Sequence, residues 1–306
     1  MARYYIGFDC GTMGTKTALY RDDSVRMAEA YRENIISYPE PGRAEMDPRG
    51  FVKNVEEGVM ECLHKSGVNP NEIRGISASG IICGIVGIND NWEPVTPFVP
   101  YLDNRARIEA EWVKANVRPV WLHESGNCIV DEFMPPVILR WFLNHYTGFR
   151  ERAVKVLNNG PFVLGTLAGL KASEAFLDWA TMSGWLIGYD AHTRNWSPKQ
   201  MKALGIPMEI LPKIVKPWDV VGFLCPEEAE KMGLPPGIPI VAGAGDTMQS
   251  ALASGLIEPG LSTDVAGTAS IFAVAVDDMV EKISLSPGMM FATGTLEDSY
   301  FYWSMI

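Results

Sequence analysis

The sequence predicts an α/β protein built around a mixed sheet. Three observations carry that prediction. An apolar run from Tyr4 ends on Asp9, a turn rich in Gly and Thr follows, and Lys16 to Tyr20 returns as a second strand. Strand-like and helix-like patterns then alternate through the middle of the chain. Near the end stands a second strand–turn–strand unit, Thr263–Ala266 and Ile271–Val276 around Gly267-Thr268-Ala269-Ser270.

Taken in order, the opening hairpin is followed by Ser24 to Tyr31 as a third antiparallel strand. Asp47 is placed to cap a helix with Pro48 at its first position, and Phe51, Val55, Val59, Cys62 and Leu63 share one face of it. Ile73–Ser79 and Ile85–Ile88 read as strands flanking Gly80 to Gly84. Asn104–Asn116 is a charged helix, and Pro135-Pro136 open an amphipathic one. Residues 160–196 are mixed and the least readable. Trp179, Trp185, Tyr189 and Trp196 form an aromatic cluster there, which suits core packing because each buries a large area. Ser197-Pro198 caps a short helix ending near Gly205. Ile238 to Gly243 is a buried-strand pattern, and after Asp246 comes a helix over Thr247–Ser254.

The bulk numbers bound the function. The chain has 306 residues, 47% of them hydrophobic, which is enough for one large domain or two smaller ones. Lys and Arg number 26 against 37 Asp and Glu, a net charge of −11. No basic stripe appears, so neither nucleic acid nor a membrane surface is an expected partner. The five cysteines and four histidines are scattered, which argues against a zinc site and suits reduced thiols in a cytoplasmic protein. No signal peptide is read at the start and no apolar run approaches a membrane span.

The first loop carries the chemistry that stands out. Asp9, Gly11, Thr12, Gly14 and Thr15 bring one carboxylate, two glycines and two hydroxyls into a tight turn. Glycines let backbone N–H groups approach a phosphate, and a strand-end carboxylate suits magnesium held through water. The plain alternative is a hairpin turn that needs Gly for φ > 0. No Gly-Lys-Ser/Thr follows, so it is not a P-loop, and a strand after the loop excludes the dinucleotide fingerprint. A dehydrogenase fails on that point.

Five stretches together resemble the FGGY carbohydrate kinases, the family of xylulose, ribulose, gluconate and glycerol kinases. Gly7-Phe8-Asp9-Cys10-Gly11-Thr12 is similar to its first phosphate loop, and Pro39 to Asp47 to its Pro-x-Pro-Gly-x-x-Glu-x-Asp segment. Tyr101-Leu102-Asp103-Asn104-Arg105 resembles its Trp-x-Asp-x-Arg stretch, Gly243-Ala244-Gly245-Asp246 its catalytic-aspartate motif, and Gly267-Thr268-Ala269-Ser270 its second phosphate loop.

The resemblance implies a ribonuclease H-like domain of the actin and hexokinase superfamily over residues 1–250. Residues 251–306 would open a second, nucleotide-binding one. Family members run to roughly 500 residues, so the chain is expected to be part of a longer protein, leaving an apolar sheet edge exposed unless a partner chain covers it, and a homodimer is a separate expectation. Implied are ATP and Mg2+ as cofactors, a sugar or polyol as substrate, and phosphorylation of its hydroxyl with Asp246 as general base. Asp9 would hold the metal through water. Gly11, Thr12, Gly14, Thr15 and Lys16 would line the phosphates, with Gly267, Thr268 and Ser270 on the other side. Ile82, Cys83, Tyr101, Asp103, Arg105, Asp246 and Thr247 would line the substrate pocket.

One departure bears on the substrate. Xylulose kinases have Ser-Gly-Gln-Met-His-Gly where this chain has Ser79-Gly80-Ile81-Ile82-Cys83-Gly84, and Tyr101 replaces Trp. A site that exchanges polar partners for apolar groups should reject acceptors that need those partners. The competing reading is a non-catalytic sugar-binding or regulatory module of the same fold, or half of a split kinase.

Overall fold

The computed structural model describes residues 2–266 and 270–305. Strands β1 (Tyr4–Cys10), β2 (Gly14–Arg21) and β3 (Arg26–Glu33) form an antiparallel meander, with Asp9 opposite Lys16 and Cys10 opposite Thr15. The third strand starts two residues later than Ser24. Ser24 instead sits in the turn at φ 66, donating to Arg21 O. Neither Gly11 nor Gly14 has a positive φ among the glycines that do. Gly14 is required for space: a Cβ there would lie 2.3 Å from the Tyr31 ring.

Helix α1 (Pro48–Ser66) forms as the sequence reading expects. Asp47 accepts from Arg49 N at 3.0 Å, Pro48 occupies the first turn, and Gly67 at φ 65 ends the helix by donating to Leu63 O. Phe51, Val52, Val55, Val59 and Cys62 are buried against the sheet, while Leu63 is half-buried. Gly58 allows close approach, since a Cβ would meet Thr17 Oγ1 at 2.5 Å.

Strand β4 (Ile73–Gly80) runs parallel to β1, with Asp9 beside Ser79. After β5 (Gly84–Ile88) and helix α2 (Arg107–Asn116), helix α3 covers Pro135–His145 and α4 Asn159–Ala168. The α2 helix starts three residues after Asn104, behind Ala106, because Asp103 and Arg105 are committed to contacts of their own. A short helix α5 (Trp179–Ser183) follows. Strand β6 (Val220–Phe223) is an antiparallel edge strand that the sequence reading missed, for it is short, contains Gly222 and exposes Val220 and Phe223. Strand β7 (Pro239–Val241) lies parallel to β4. It ends before Gly243, which turns at φ 69. Helix α6 (Asp246–Ala253) then begins on Asp246 itself.

The first sheet therefore reads β6-β7-β4-β1-β2-β3, with β1, β4 and β7 parallel and the rest antiparallel. This is a ribonuclease H-like arrangement. The end of the described chain builds a second sheet from β8 (Ser262–Ala266), β9 (Ser270–Val276), β10 (Met290–Thr293) and β11 (Tyr300–Met305), in the order β8-β9-β11-β10. The final strand is internal rather than an apolar edge, and Phe301, Tyr302 and Trp303 are buried. That sheet is fastened to the first unit at α5. Trp179 Nε1 donates to Gly294 O, Thr293 N donates to Ser183 Oγ, and Thr293 Oγ1 donates to Trp179 O. Trp185, Tyr189 and Trp196 lie in the shared core, as core packing requires.

Candidate active site at the ends of three parallel strands

Because β1, β4 and β7 run side by side in one direction, whatever follows their carboxyl ends meets at one rim of the sheet. Asp9 and Cys10 end β1, Ser79 and Gly80 end β4, and Gly243 to Asp246 follow β7. The glycines of the last loop are dictated by space. A Cβ on Gly243 would lie 2.0 Å from Ala78 O, and one on Gly245 would lie 1.9 Å from Ile82 Cγ2. The loop is thus wedged between the end of β4 and the 80–84 turn, and Asp246 is delivered to the rim.

Asp246 is not the helix cap. Gly245 holds that position, and Asp246 Oδ1 accepts instead from Thr247 N at 2.6 Å and Thr247 Oγ1 at 3.3 Å. Burial pushes its carboxyl up to about 6, opposed by the Thr247 backbone bond and reinforced by the charge of Asp9. Burial also raises the Asp9 carboxyl, against Ser79 and Lys16, which both lower it. The Oδ1 of Asp9 is buried without a protein partner. Two carboxylates that feel each other in a partly dry rim, one with an idle oxygen, suit a site for cations and phosphates.

Among the described residues no group of three or more His, Cys, Asp or Glu gathers as a metal cage. Lys16 is exposed, faces Asp9 across the β1–β2 ladder, and shares with Asp9, Ser77, Ser79 and Gln249 a groove of about 920 Å³.

Thr15 is turned inward: its side chain is buried and its Oγ1 donates to Asn34 Oδ1 at 3.1 Å. It braces the loop, as does Asn34 Nδ2, which donates to Gly11 O at 2.7 Å. Gly11 and Thr12 are half-buried at the rim. Gly267 and Thr268 lie outside the described residues, and Ser270 begins β9 opposite Ala266.

On the substrate side, Ile82 and Cys83 are each 6% exposed. Burial and the charge of Asp246 raise the Cys83 thiol, so it is no nucleophile. Tyr101 is exposed and donates its N–H to Cys83 O. Asp103 and Arg105 are not open to the cleft. Asp103 Oδ1 accepts from Arg105 N and Nε, and Oδ2 accepts from Ala44 N and Arg105 Nη2. Four donors saturate the carboxylate. Arg105 Nη2 also donates to Glu45, and its guanidinium lies 5.0 Å from the Trp141 ring centre. This cluster clamps the Ala44–Glu45 segment to the 101–105 turn, and no acceptor remains on Asp103 for a sugar hydroxyl. Thr247 is half-buried beside Asp246.

Two asparagines that the sequence reading did not single out hold the site loops. Asn159 Nδ2 donates to Cys10 O at 2.8 Å, and Asn158 Nδ2 donates to Ile82 O at 2.8 Å and Ile81 O at 3.3 Å. Each is 1% exposed. Their signal was a polar pair, Asn158-Asn159, set between apolar runs at a strand-to-helix junction.

The fold is ribonuclease H-like, of the actin and hexokinase type. The N-terminal domain of the FGGY family of carbohydrate kinases matches residues 4–253, and the chain belongs to that family. It is 26% identical over 273 residues to a probable L-xylulose kinase of Pasteurella multocida, covering 88% of this chain and 55% of that one. It is 24% identical over 277 residues to a glycerol kinase of Albidiferax ferrireducens, covering 87% and 53%. The crystal structure of a xylulose kinase from Rhodospirillum rubrum superposes with a TM-score of 0.88 at 25% identity, over 99% of this chain and 60% of that one. The chain spans about half the length of the curated relatives it matches. Among the described residues no helix is long and apolar enough to cross a membrane.

Proposed function

We propose that this chain supplies the acceptor side of an ATP- and magnesium-dependent kinase that phosphorylates a hydroxyl of a sugar or polyol, with Asp246 as general base. The observation that carries the reading is the meeting of Asp9, at the end of β1, and Asp246, in the loop after β7, at one rim of the sheet with β4 between them, the Asp246 carboxyl being raised to about 6. A base with that affinity is ionised at neutral pH yet basic enough to accept the proton of an attacking hydroxyl. Asp246 sits at a helix start and is half-buried at the rim, held there by a loop whose Gly243 and Gly245 pack against Ala78 and Ile82. Asp9, through its idle oxygen, would hold magnesium by way of water. The bound metal supplies neutralisation of phosphate charge. Lys16 and the backbone of Gly11 and Thr12 would border the phosphates.

ADP release, measured over a panel of sugars and polyols with Mg-ATP, tests the reading. Turnover of at least one alcohol is expected, falling on the order of 10²–10⁴-fold in Asp246→Asn, the range of a positioned base. An Asp246→Asn protein that turns over as fast as the parent would overturn it.

A further inference from the structure

A second groove lies apart from the rim. It opens beside the loop before Glu45, the start of α2 and the end of α3, with a volume of about 610 Å³, and neither Asp9 nor Asp246 lines it. That volume is typical of a small-ligand pocket. Two guanidinium groups line it, Arg43 from the loop and Arg152 from the short helix Phe149–Arg152 that follows α3. Much of the remaining wall is aromatic or aliphatic: Trp141 and Tyr146, with Ile108 standing 77% exposed on α2. Among the described residues no Asp or Glu lines the groove, in a chain whose net charge is −11.

The donors here are not used up inside the protein. Arg152 Nε donates to Gly148 O at 3.1 Å and its Nη2 to Thr147 O at 3.3 Å, both main-chain carbonyls. Among the described residues no carboxylate pairs with Arg152. Arg43 lies 5.5 Å from the Trp141 ring centre and meets Glu40 at 3.3 Å, a surface pair of the kind that contributes little. Neither Trp141 Nε1 nor Tyr146 Oη has a hydrogen-bond partner among the described residues. The carboxylate behind His145 is Glu109, which Arg140 and Asn144 already hold. The groove therefore offers two cations and uncharged donors beside a flat apolar wall. A guanidinium fork matches phosphate oxygens in pairs, and an aromatic face receives a carbon skeleton. A dianion answers both cations, and the three terminal oxygens of a phosphate suit two forks better than the two of a carboxylate.

We propose that this groove binds a small phosphate monoester, with its phosphate on Arg43 and Arg152 and its carbon skeleton over Trp141 and Ile108. The site does not depend on the proposed kinase reading, because it shares no residue with the Asp9 and Asp246 rim.

Calorimetric titration of the chain with phenyl phosphate, phenol and inorganic phosphate, at low salt and without ATP, tests this. Phenyl phosphate should bind one to one, at least about tenfold more tightly than either fragment, and more weakly as NaCl is added. Arg43→Gln and Arg152→Gln should each weaken it by about tenfold or more, the worth of a hydrogen bond to a charged group. Arg152→Lys should restore only part of the loss, since an ammonium cannot bond in parallel. Lys16→Gln, which alters the rim and not this groove, should bind as the parent does. In the unsubstituted protein the indole N–H resonance of Trp141 should move along the same titration curve. No binding at millimolar phenyl phosphate, or a Trp141 resonance that stays in place, would overturn the proposal. Affinity unchanged in both arginine variants but lost in Lys16→Gln would overturn it too and assign the phosphate to the rim.

Discussion

Asn159 donates its Nδ2 to the carbonyl of Cys10 at 2.8 Å although 149 positions separate them in the chain. The bond holds the end of β1, and so the Asp9 loop, against the start of α4. Asn159 Oδ1 is used as well, accepting from Gly160 N. Asn159→Ala leaves a buried carbonyl without its donor, which costs about 1–3 kcal/mol. Urea unfolding should show that loss with an unchanged slope. A variant as stable as the parent would mean that water replaces the amide.

The glycines of the 243–246 loop separate two kinds of steric demand. Gly245→Ala meets the Ile82 side chain, and a displaced side chain costs about 1–3 kcal/mol. Ile82→Ala in the same protein removes the obstructing atom, so the double variant should recover part of the loss as a favourable coupling. Gly243→Ala meets the Ala78 carbonyl and carries φ 69, so no side-chain deletion should rescue it. Thermal midpoints of the parent, the two single variants and the double variant check the first statement, and those of Gly243→Ala with and without Ile82→Ala check the second. Strict additivity of the Gly245 and Ile82 changes would contradict the first.

The sheet was legible in the sequence where periodicity and caps agree, as in β1, β2 and α1 with its Asp47 cap and Gly67 stop. The edge strand β6 was not, because three or four half-exposed residues around a glycine give no period to read. Asp9 and Asp246 were legible from their loops. Their proximity was not, since it comes from the parallel pairing of β1, β4 and β7. Thr15, Asp103 and Arg105 show the opposite problem. Their residue types suit a ligand, but the fold brings Asn34, Ala44 and Glu45, all distant in the chain or outside the motif, to occupy them.

The clamp of Asp103 and Arg105 leads to a prediction that distinguishes bracing from substrate binding. Both side chains are essentially without exposure, so Asp103→Ala strands a buried guanidinium and should destabilise by roughly 3–5 kcal/mol. Arg105→Lys should also destabilise, because an ammonium cannot make the two parallel bonds. Unfolding free energies measure the loss. The acceptor dissociation constant, taken at a temperature where the variants stay folded, should move less than threefold. A selective loss of acceptor binding at normal stability would instead place Asp103 on the substrate.

Asp178 offers a pH test that does not depend on catalysis. It caps α5 by accepting from Thr181 N at 2.8 Å, is 1% exposed, and burial pushes its carboxyl up to about 7 against the Thr181 and Ala180 bonds that lower it. Its affinity for a proton is therefore higher folded than unfolded. Stability from this group is fully present below the unfolded value near 4 and is lost as pH rises through about 7. Asn at this position keeps an oxygen for the cap but cannot ionise. The stability of Asp178→Asn relative to the parent should therefore improve from pH 5 to pH 8, by an amount on the order of a few kcal/mol, since each pH unit between the two values is worth about 1.4 kcal/mol. Chemical denaturation of both proteins at the two pH values measures the difference, in which the other titrating groups cancel. A difference that stays constant, or that runs the other way, would show that the Asp178 carboxyl is ionised in the folded protein and held by its backbone donors.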